Sequence, residues 1–119
     1  MSTRAAIGYK AADGKVITIY SHFDGYPSHV GKILKEHHSS DAALHKLISG
    51  SDIRNFDHDG TVVRYDDHIK GDLTEESDDM IEAIYGRDYL YLWSFADQKW
   101  TCFARDEYVK PDALREIEL

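Results

Sequence analysis

The chain has 119 residues, and its net charge is −8 at pH 7. Apolar residues make up 42% and charged residues 30% of the chain, which excludes a disordered protein and favours one folded domain. The negative charge argues against direct binding of nucleic acid, because neutralisation of phosphates by basic residues supplies most of that affinity.

The composition also bears on location. Cys102 is the only cysteine, so the chain has no internal disulfide, which favours a reducing compartment. No apolar run approaches the roughly 20 residues of a membrane span, and the first residues lack the apolar stretch of a signal peptide. We therefore expect a cytoplasmic protein without a membrane partner.

The N-terminal segment predicts a β-hairpin. Apolar residues alternate weakly in residues 4–10, and residues 15–22 are rich in β-branched side chains. Between them, Asp13-Gly14 supplies the positive φ of a tight turn.

Two helices are predicted next. Pro27 presets φ and Ser28 offers a side-chain cap, so a helix begins there, with its apolar side chains at helical spacing. Ser40 caps a second short helix that Gly50 ends.

The middle of the chain is strongly acidic. Ile53 and Phe56 are expected to point inward, and residues 61–65 predict a short strand. Thr74 is the predicted N-cap of a third helix, whose first turn holds Glu75 and Glu76. This helix is predicted to end at Gly86. Its expected buried face consists of Met80, Ile81, Ile84 and Tyr85.

The C-terminal third predicts a central strand over residues 89–95, because both of its faces are apolar. Residues 100–104 pair back as a hairpin, and Pro111-Asp112 begins a final short helix that carries Leu114 and Ile117. We therefore predict one α+β domain over residues 1–119, with a mostly antiparallel sheet of about five strands and two or three helices on one face.

The most distinctive segment is the DGYP loop, His22–His29, between a predicted strand and a predicted helix. Such positions often hold sites, because the fold fixes both ends of the loop. One interpretation is a structural turn at Asp24-Gly25; another is a binding surface that includes His22, Asp24, Tyr26 and His29. A third has His22 and Asp24 as base and orienting group, or these two with His29 as metal ligands. The spacing matches no specific metal motif, so we predict neither metal nor cofactor.

The chain resembles a family of small uncharacterised proteins encoded by tailed bacteriophages. The resemblance is carried by Ser2–Ala5, Ile7, the segment Ile19–Gly31 and Leu34. The family pattern runs from a strand through Tyr-Cys-His-x-Asp-Gly-Tyr-Pro-x-x-Val-Gly into a helix, and it ends in an aromatic hairpin like residues 89–100. This chain has Ser21 where the pattern often has Cys. The family carries no settled activity, so the resemblance implies only context, a phage accessory protein in the host bacterial cytoplasm.

Two functional hypotheses follow. The favoured one is a non-enzymatic phage protein that binds and inhibits a host protein, for example a CRISPR or restriction component, with a homodimer left open. Acidic residues would then steer binding or mimic nucleic acid: Asp66, Asp67, Asp72, Glu75, Glu76, Asp78 and Asp79. The alternative is a small metal- or His/Asp-dependent hydrolase centred on His22 and Asp24.

Overall fold

The computed structural model describes residues 2–66, 68, 73–105 and 114–119. Within these ranges the chain forms an eight-stranded mixed sheet with helices on both faces. The strands are β1 (Ala5–Lys10), β2 (Val16–Ser21), β3 (Ile53–Phe56), β4 (Val62–Arg64), β5 (Glu75–Ser77), β6 (Tyr89–Ser94), β7 (Lys99–Arg105) and β8 (Leu114–Ile117). The helices are α1 (Lys32–His37), α2 (Asp41–Leu47) and α3 (Met80–Ile84), and a π-helical turn, Pro27–Gly31, runs directly into α1.

The sheet has the order β4-β3-β2-β1-β6-β7-β8. Strands β3 and β5 share one edge of β2: Ile53 pairs with Ser21 at its end, and Ser77 pairs with Val16 at its beginning. The β1–β6 and β2–β3 pairings are parallel and the others are antiparallel. The α+β class is therefore confirmed, whereas the sheet has more strands than the predicted five and is mixed.

The sheet is covered on both faces. Side chains of α1 and α2 pack with those of β1, β2 and β6 into the larger core, which includes the fully buried Tyr91. On the opposite face, Ala83 and Ile84 of α3 pack against a smaller cluster that includes Val16 and Leu90. The prediction of helices on one face is therefore wrong, because α3 covers the second apolar face of the central strands.

Local signals predicted several elements correctly. The β1–β2 hairpin turns at Gly14, whose φ is +90°. The Ser40 hydroxyl caps α2 by accepting a hydrogen bond from the Ala43 amide at 3.0 Å. Strand β6 is central, since it lies between β1 and β7, and β7 forms the predicted hairpin with it.

The region around α3 departs from the prediction. Residues 75–77 form β5 rather than a first helical turn, because the beginning of β2 offers them an open edge. The helix begins after Asp79, whose Oδ1 accepts a hydrogen bond from the Glu82 amide at 2.8 Å. The Glu82 carboxylate in turn accepts one from the amide of Asp78, the residue before the N-cap, in a variant of the capping box. Thr74 is therefore not the N-cap.

The C-terminal prediction is also corrected. Pro111 and Asp112 lie outside the described residues, but Leu114–Ile117 form the edge strand β8 instead of a helix. Their backbone pairs antiparallel with β7, where Ile117 lies opposite Cys102 and extends the larger core. The sequence analysis also missed β3, although Ile53 and Phe56 point inward as expected.

Candidate functional site

The DGYP loop leaves the end of β2 and leads into the π-helical turn. The His22 amide donates a hydrogen bond to the Ile53 carbonyl at 3.0 Å, and the Gly25 amide donates one to the Thr3 carbonyl at 2.8 Å. Beneath the loop, the buried Tyr91 hydroxyl donates to the Gly25 carbonyl at 2.7 Å. The loop is therefore anchored to β3, to the N-terminal segment and to β6.

Asp24 and Gly25 set the shape of the turn. Asp24 has a φ of +55°, a left-handed conformation that Asp tolerates better than most residues. A Cβ atom at Gly25 would lie 2.9 Å from both the Cβ of Ala5 and the carbonyl oxygen of Thr3, closer than such atoms approach in proteins. The Asp-Gly pair therefore fits here because one residue needs a positive φ and the next has no room for a side chain.

The His22 ring lies in a small aromatic and hydroxyl cluster. Its Nδ1 is 2.6 Å from the Tyr20 hydroxyl, and its Nε2 is 3.4 Å from the Ser2 hydroxyl oxygen. The exposed Asp24 carboxylate forms no hydrogen bond or ion pair with His22 or any other described residue. Tyr20, rather than Asp24, is therefore the residue that orients His22.

The other half of the loop is held by His29. Its Nε2–H donates a hydrogen bond to the Phe56 carbonyl at 2.9 Å, which ties the π-helical turn to β3. Tyr26 is exposed, and its ring centroid lies 6.0 Å from that of His29. In the ranges that the structure describes, no three His, Cys, Asp or Glu side chains are grouped to hold a metal ion.

Cys102 is buried in β7 beside Tyr91. Burial raises the pKa of its thiol to about 12, so the thiol stays protonated near neutral pH. Because the thiolate is the reactive form of cysteine, this environment gives it no basis for nucleophilic chemistry.

The predicted acidic residues are distributed over three places. Asp67 and Asp72 lie outside the described residues. The backbone of Asp66 is held beside Ser51, whose hydroxyl accepts a hydrogen bond from its amide at 3.0 Å and donates one to its carbonyl at 3.1 Å. The remaining four form β5 and the approach to α3: Glu75, Glu76, Asp78 and Asp79.

Three of these four carboxylates border a concavity between β5 and α3, which we call the acidic groove. Its volume is about 700 Å³. Two apolar side chains line it without being buried, since Ile81 is 38% exposed and Tyr85 is 75% exposed. The lining residues are Glu75, Glu76, Ser77, Asp79, Ile81, Glu82, Tyr85 and Arg87.

The electrostatic character of the acidic groove is set by its rim. Glu76 pairs with Lys15 at 3.1 Å, which raises the pKa of Lys15, and Glu75 pairs with Arg87 at 3.2 Å. Among the described lining residues, Arg87 is the one basic side chain, against four carboxylates. The groove therefore presents a net negative rim around its two apolar side chains.

The sequence analysis placed Ile81 and Tyr85 on a buried helix face and did not select Glu82 or Arg87. Ile84 is buried as predicted, but Ile81 lies on the exposed side of α3 and Tyr85 follows its last residue. The Asp79-x-x-Glu82 pattern, typical of a capped helix start, was the signal for a later and shorter helix than the one predicted after Thr74. Ala83 and Ile84 form the buried side of this helix.

Comparison of the chain with protein-family models, curated proteins and solved structures finds no match. Among the described helices, none is both long and apolar enough to span a membrane.

Proposed function

We propose that this chain is a phage accessory protein that binds and blocks a host protein, with the acidic groove as its contact surface. The observation that carries the proposal is the exposure of Ile81 and Tyr85 inside a rim of carboxylates. A partner with an apolar anchor flanked by Lys or Arg side chains matches this arrangement.

The apolar centre has the features of an interface anchor. Tyrosine is enriched among the residues that dominate binding energy, since it buries a large rigid body while keeping a polar tip. Tyr85 follows directly after α3, and its carbonyl accepts a hydrogen bond from Nη1 of Arg87 at 3.1 Å. The backbone that presents the ring is thus held before any partner arrives.

The rim supplies charge selectivity. Glu75, Glu76 and Glu82 are exposed. Glu76 forms a surface ion pair of small energy with Lys15, and Glu75 pairs with the partly buried Arg87. Basic groups of a partner can therefore replace Lys15, or join Arg87, at little cost. The net charge of −8 speeds the encounter with a basic surface, such as the nucleic-acid-binding face of a host defence protein.

This proposal is favoured over the hydrolase hypothesis by the surroundings of the DGYP loop. His22 is oriented by Tyr20, and Asp24 is not hydrogen-bonded to it. The loop's hydrogen-bonding groups join β3, the N-terminal segment and β6, which supports a role in holding the fold together.

The test is quantitative capture from a host lysate, followed by affinity measurement with the purified partner. The double variant Ile81→Ser, Tyr85→Ser is expected to weaken binding at least tenfold, and Glu75→Lys with Glu76→Lys to weaken it and reduce its salt dependence. Matched controls are Tyr65→Ser, another exposed tyrosine, and Glu36→Lys, an exposed carboxylate on α1.

The same partner also tests nucleic-acid mimicry. If the acidic groove occupies a nucleic-acid-binding face, an excess of the partner's nucleic acid should displace this protein. Equal binding by the groove variants and the control variants would refute the acidic groove as the contact surface. Recovery of no stoichiometric partner from the lysate would count against the whole proposal.

A further inference from the structure

Arginines gather at the end of the sheet where β1 and β6 begin and β7 ends. A concavity of about 420 Å³ lies there, and three of the chain's six arginines line it, Arg4, Arg87 and Arg105. We call it the arginine pocket, and its other lining residues are Ser2, Gly86 and Asp88.

The backbone under the arginine pocket is fixed by reciprocal hydrogen bonds. The Arg4 amide donates to Oδ2 of Asp88 at 2.8 Å, and the Asp88 amide donates to the Arg4 carbonyl at 2.9 Å. The Tyr89 amide donates to the same carbonyl at 3.2 Å. Arg105 ends β7, next to Ala104, which pairs with Tyr89. The three guanidinium groups therefore extend from a rigid frame.

The charges in the arginine pocket are unbalanced. Among the described residues that line it, there are three guanidinium groups and one carboxylate, that of Asp88, in a chain whose net charge is negative. Arg87 is partly satisfied, since it pairs with Glu75 at 3.2 Å and lies over the Tyr20 ring at 4.8 Å. Neither Arg4 nor Arg105 forms an ion pair with any described residue.

We propose that the arginine pocket binds a phosphate group, either free phosphate or the phosphate of a small monoester, with Arg4 and Arg105 as its principal contacts. The planar guanidinium donates two parallel hydrogen bonds to phosphate oxygens, which a lysine cannot do. The Ser2 hydroxyl, half-buried at the same concavity, adds a further donor. The volume of the pocket leaves room for the group that a monoester carries.

Arg87 lines both the arginine pocket and the acidic groove, but Arg4 and Arg105 line only the arginine pocket. Variants at Arg4 and Arg105 therefore test phosphate binding without changing a residue of the acidic groove. Failure of one proposal leaves the other standing.

The experiment titrates inorganic phosphate, and separately glycerol phosphate, into the full chain at fixed ionic strength, with chloride as the control salt. Binding is followed by calorimetry and by amide chemical shifts. We expect saturable binding in which the shifts concentrate at Ser2, Arg4 and residues 86–88. The double variant Arg4→Gln, Arg105→Gln should weaken it at least tenfold. Tighter binding of glycerol phosphate identifies a monoester site, and equal binding identifies free phosphate.

The matched control is Arg115→Gln, which removes an exposed arginine from β8. The double variant Arg4→Lys, Arg105→Lys keeps the positive charges but cannot donate two parallel hydrogen bonds from one side chain. It should bind phosphate more weakly than the native chain and more tightly than the Gln variant. Circular dichroism and thermal unfolding establish that each variant is folded. The absence of saturable binding, or equal loss with Arg115→Gln, would overturn the proposal.

Discussion

The DGYP loop and the acidic groove differ in what their polar groups contact. In the loop, the backbone of Gly25 and the rings of His22 and His29 contact other parts of the same chain. In the acidic groove, by contrast, the side chains of Ile81 and Tyr85 are exposed to solvent within the described structure. The distinctive sequence motif thus marks a segment with strict structural demands, and the exposed apolar surface lies elsewhere.

This difference predicts that changes in the loop alter stability and changes in the groove alter binding. The largest effect is expected for Gly25→Ala. The added methyl group would lie 2.9 Å from Ala5 Cβ and from the Thr3 carbonyl, so the loop or β1 must shift. We expect the free energy of unfolding to fall by about 2–3 kcal/mol, measured by urea denaturation.

The control for this substitution is Gly14→Ala in the β1–β2 turn. Its φ is +90°, but no atom lies within 4 Å of the added Cβ, so only the backbone conformation is penalised. A loss of about 1 kcal/mol is expected there. If Gly25→Ala is no more destabilising than Gly14→Ala, close packing beneath the loop is not what holds it.

Removal of the hydroxyl beneath the loop should have the next largest effect. Tyr91→Phe deletes the 2.7 Å hydrogen bond to the Gly25 carbonyl and leaves that buried acceptor unsatisfied. We expect a loss of about 1–2 kcal/mol in unfolding free energy. Tyr89→Phe, a half-exposed tyrosine on the same strand, should change it by less than about 0.5 kcal/mol. Equal effects would contradict the anchoring role of Tyr91.

Replacing Ser21, the residue before the loop, is expected to increase stability. Ser21 is fully buried, and its hydroxyl has no hydrogen-bond partner among the described residues. Ser21→Ala, or Ser21→Cys, should raise the unfolding free energy by about 1 kcal/mol. Ser51→Ala is the opposite control, because that hydroxyl bonds twice to the Asp66 backbone and its loss should destabilise. A loss of stability with Ser21→Ala would mean that the hydroxyl has a partner.

The fold could be predicted where its signals are local. Asp13-Gly14 fixes one hairpin, Ser40 starts α2, and the two apolar faces of residues 89–95 identify the central strand. The parallel β1–β6 pairing could not be predicted in this way, since it joins residues far apart in the chain. Its partners are chosen by burial of both faces, which no short pattern encodes.

Two strands were misassigned for a related reason. Leu114 and Ile117 are three residues apart, a helical spacing, but their segment pairs with the open edge of β7 as a strand. Glu75 and Glu76 are typical of the first turn of a helix, but their segment pairs with the edge of β2 as β5. In both cases the edge of an existing sheet overrides local propensity. Three carboxylates of the acidic groove were predicted as binding residues, but its apolar centre, Ile81 and Tyr85, was assigned to the buried face of a helix.

A smaller, pH-dependent effect is expected at His38. Its Nε2–H donates to the Gly60 carbonyl at 2.8 Å, and burial lowers its pKa below the ordinary value of 6.5. The unfolded chain therefore binds this proton more readily, so stability is full above pH 6.5 and falls as the pH drops toward the folded-state pKa. The free energy of unfolding should therefore fall between pH 7 and 5.

The measurement compares chemical denaturation of the native chain and His38→Gln across this pH range. The Gln amide keeps a donor for the Gly60 carbonyl but does not titrate, so the variant should lose less stability on acidification. An identical pH dependence would show that other groups cause the loss.

The smallest effect on stability, and the sharpest contrast with the loop, is expected for Tyr85→Ser. The side chain is 75% exposed and lies outside both core clusters, so its removal should change the unfolding free energy by less than about 0.5 kcal/mol. The same change should weaken partner binding at least tenfold, whereas Ser21→Ala should leave binding unchanged. Urea denaturation and affinity measurement on the same samples separate the two effects. A marked loss of stability with Tyr85→Ser would mean that the ring belongs to the fold, and the distinction between the two regions would fail.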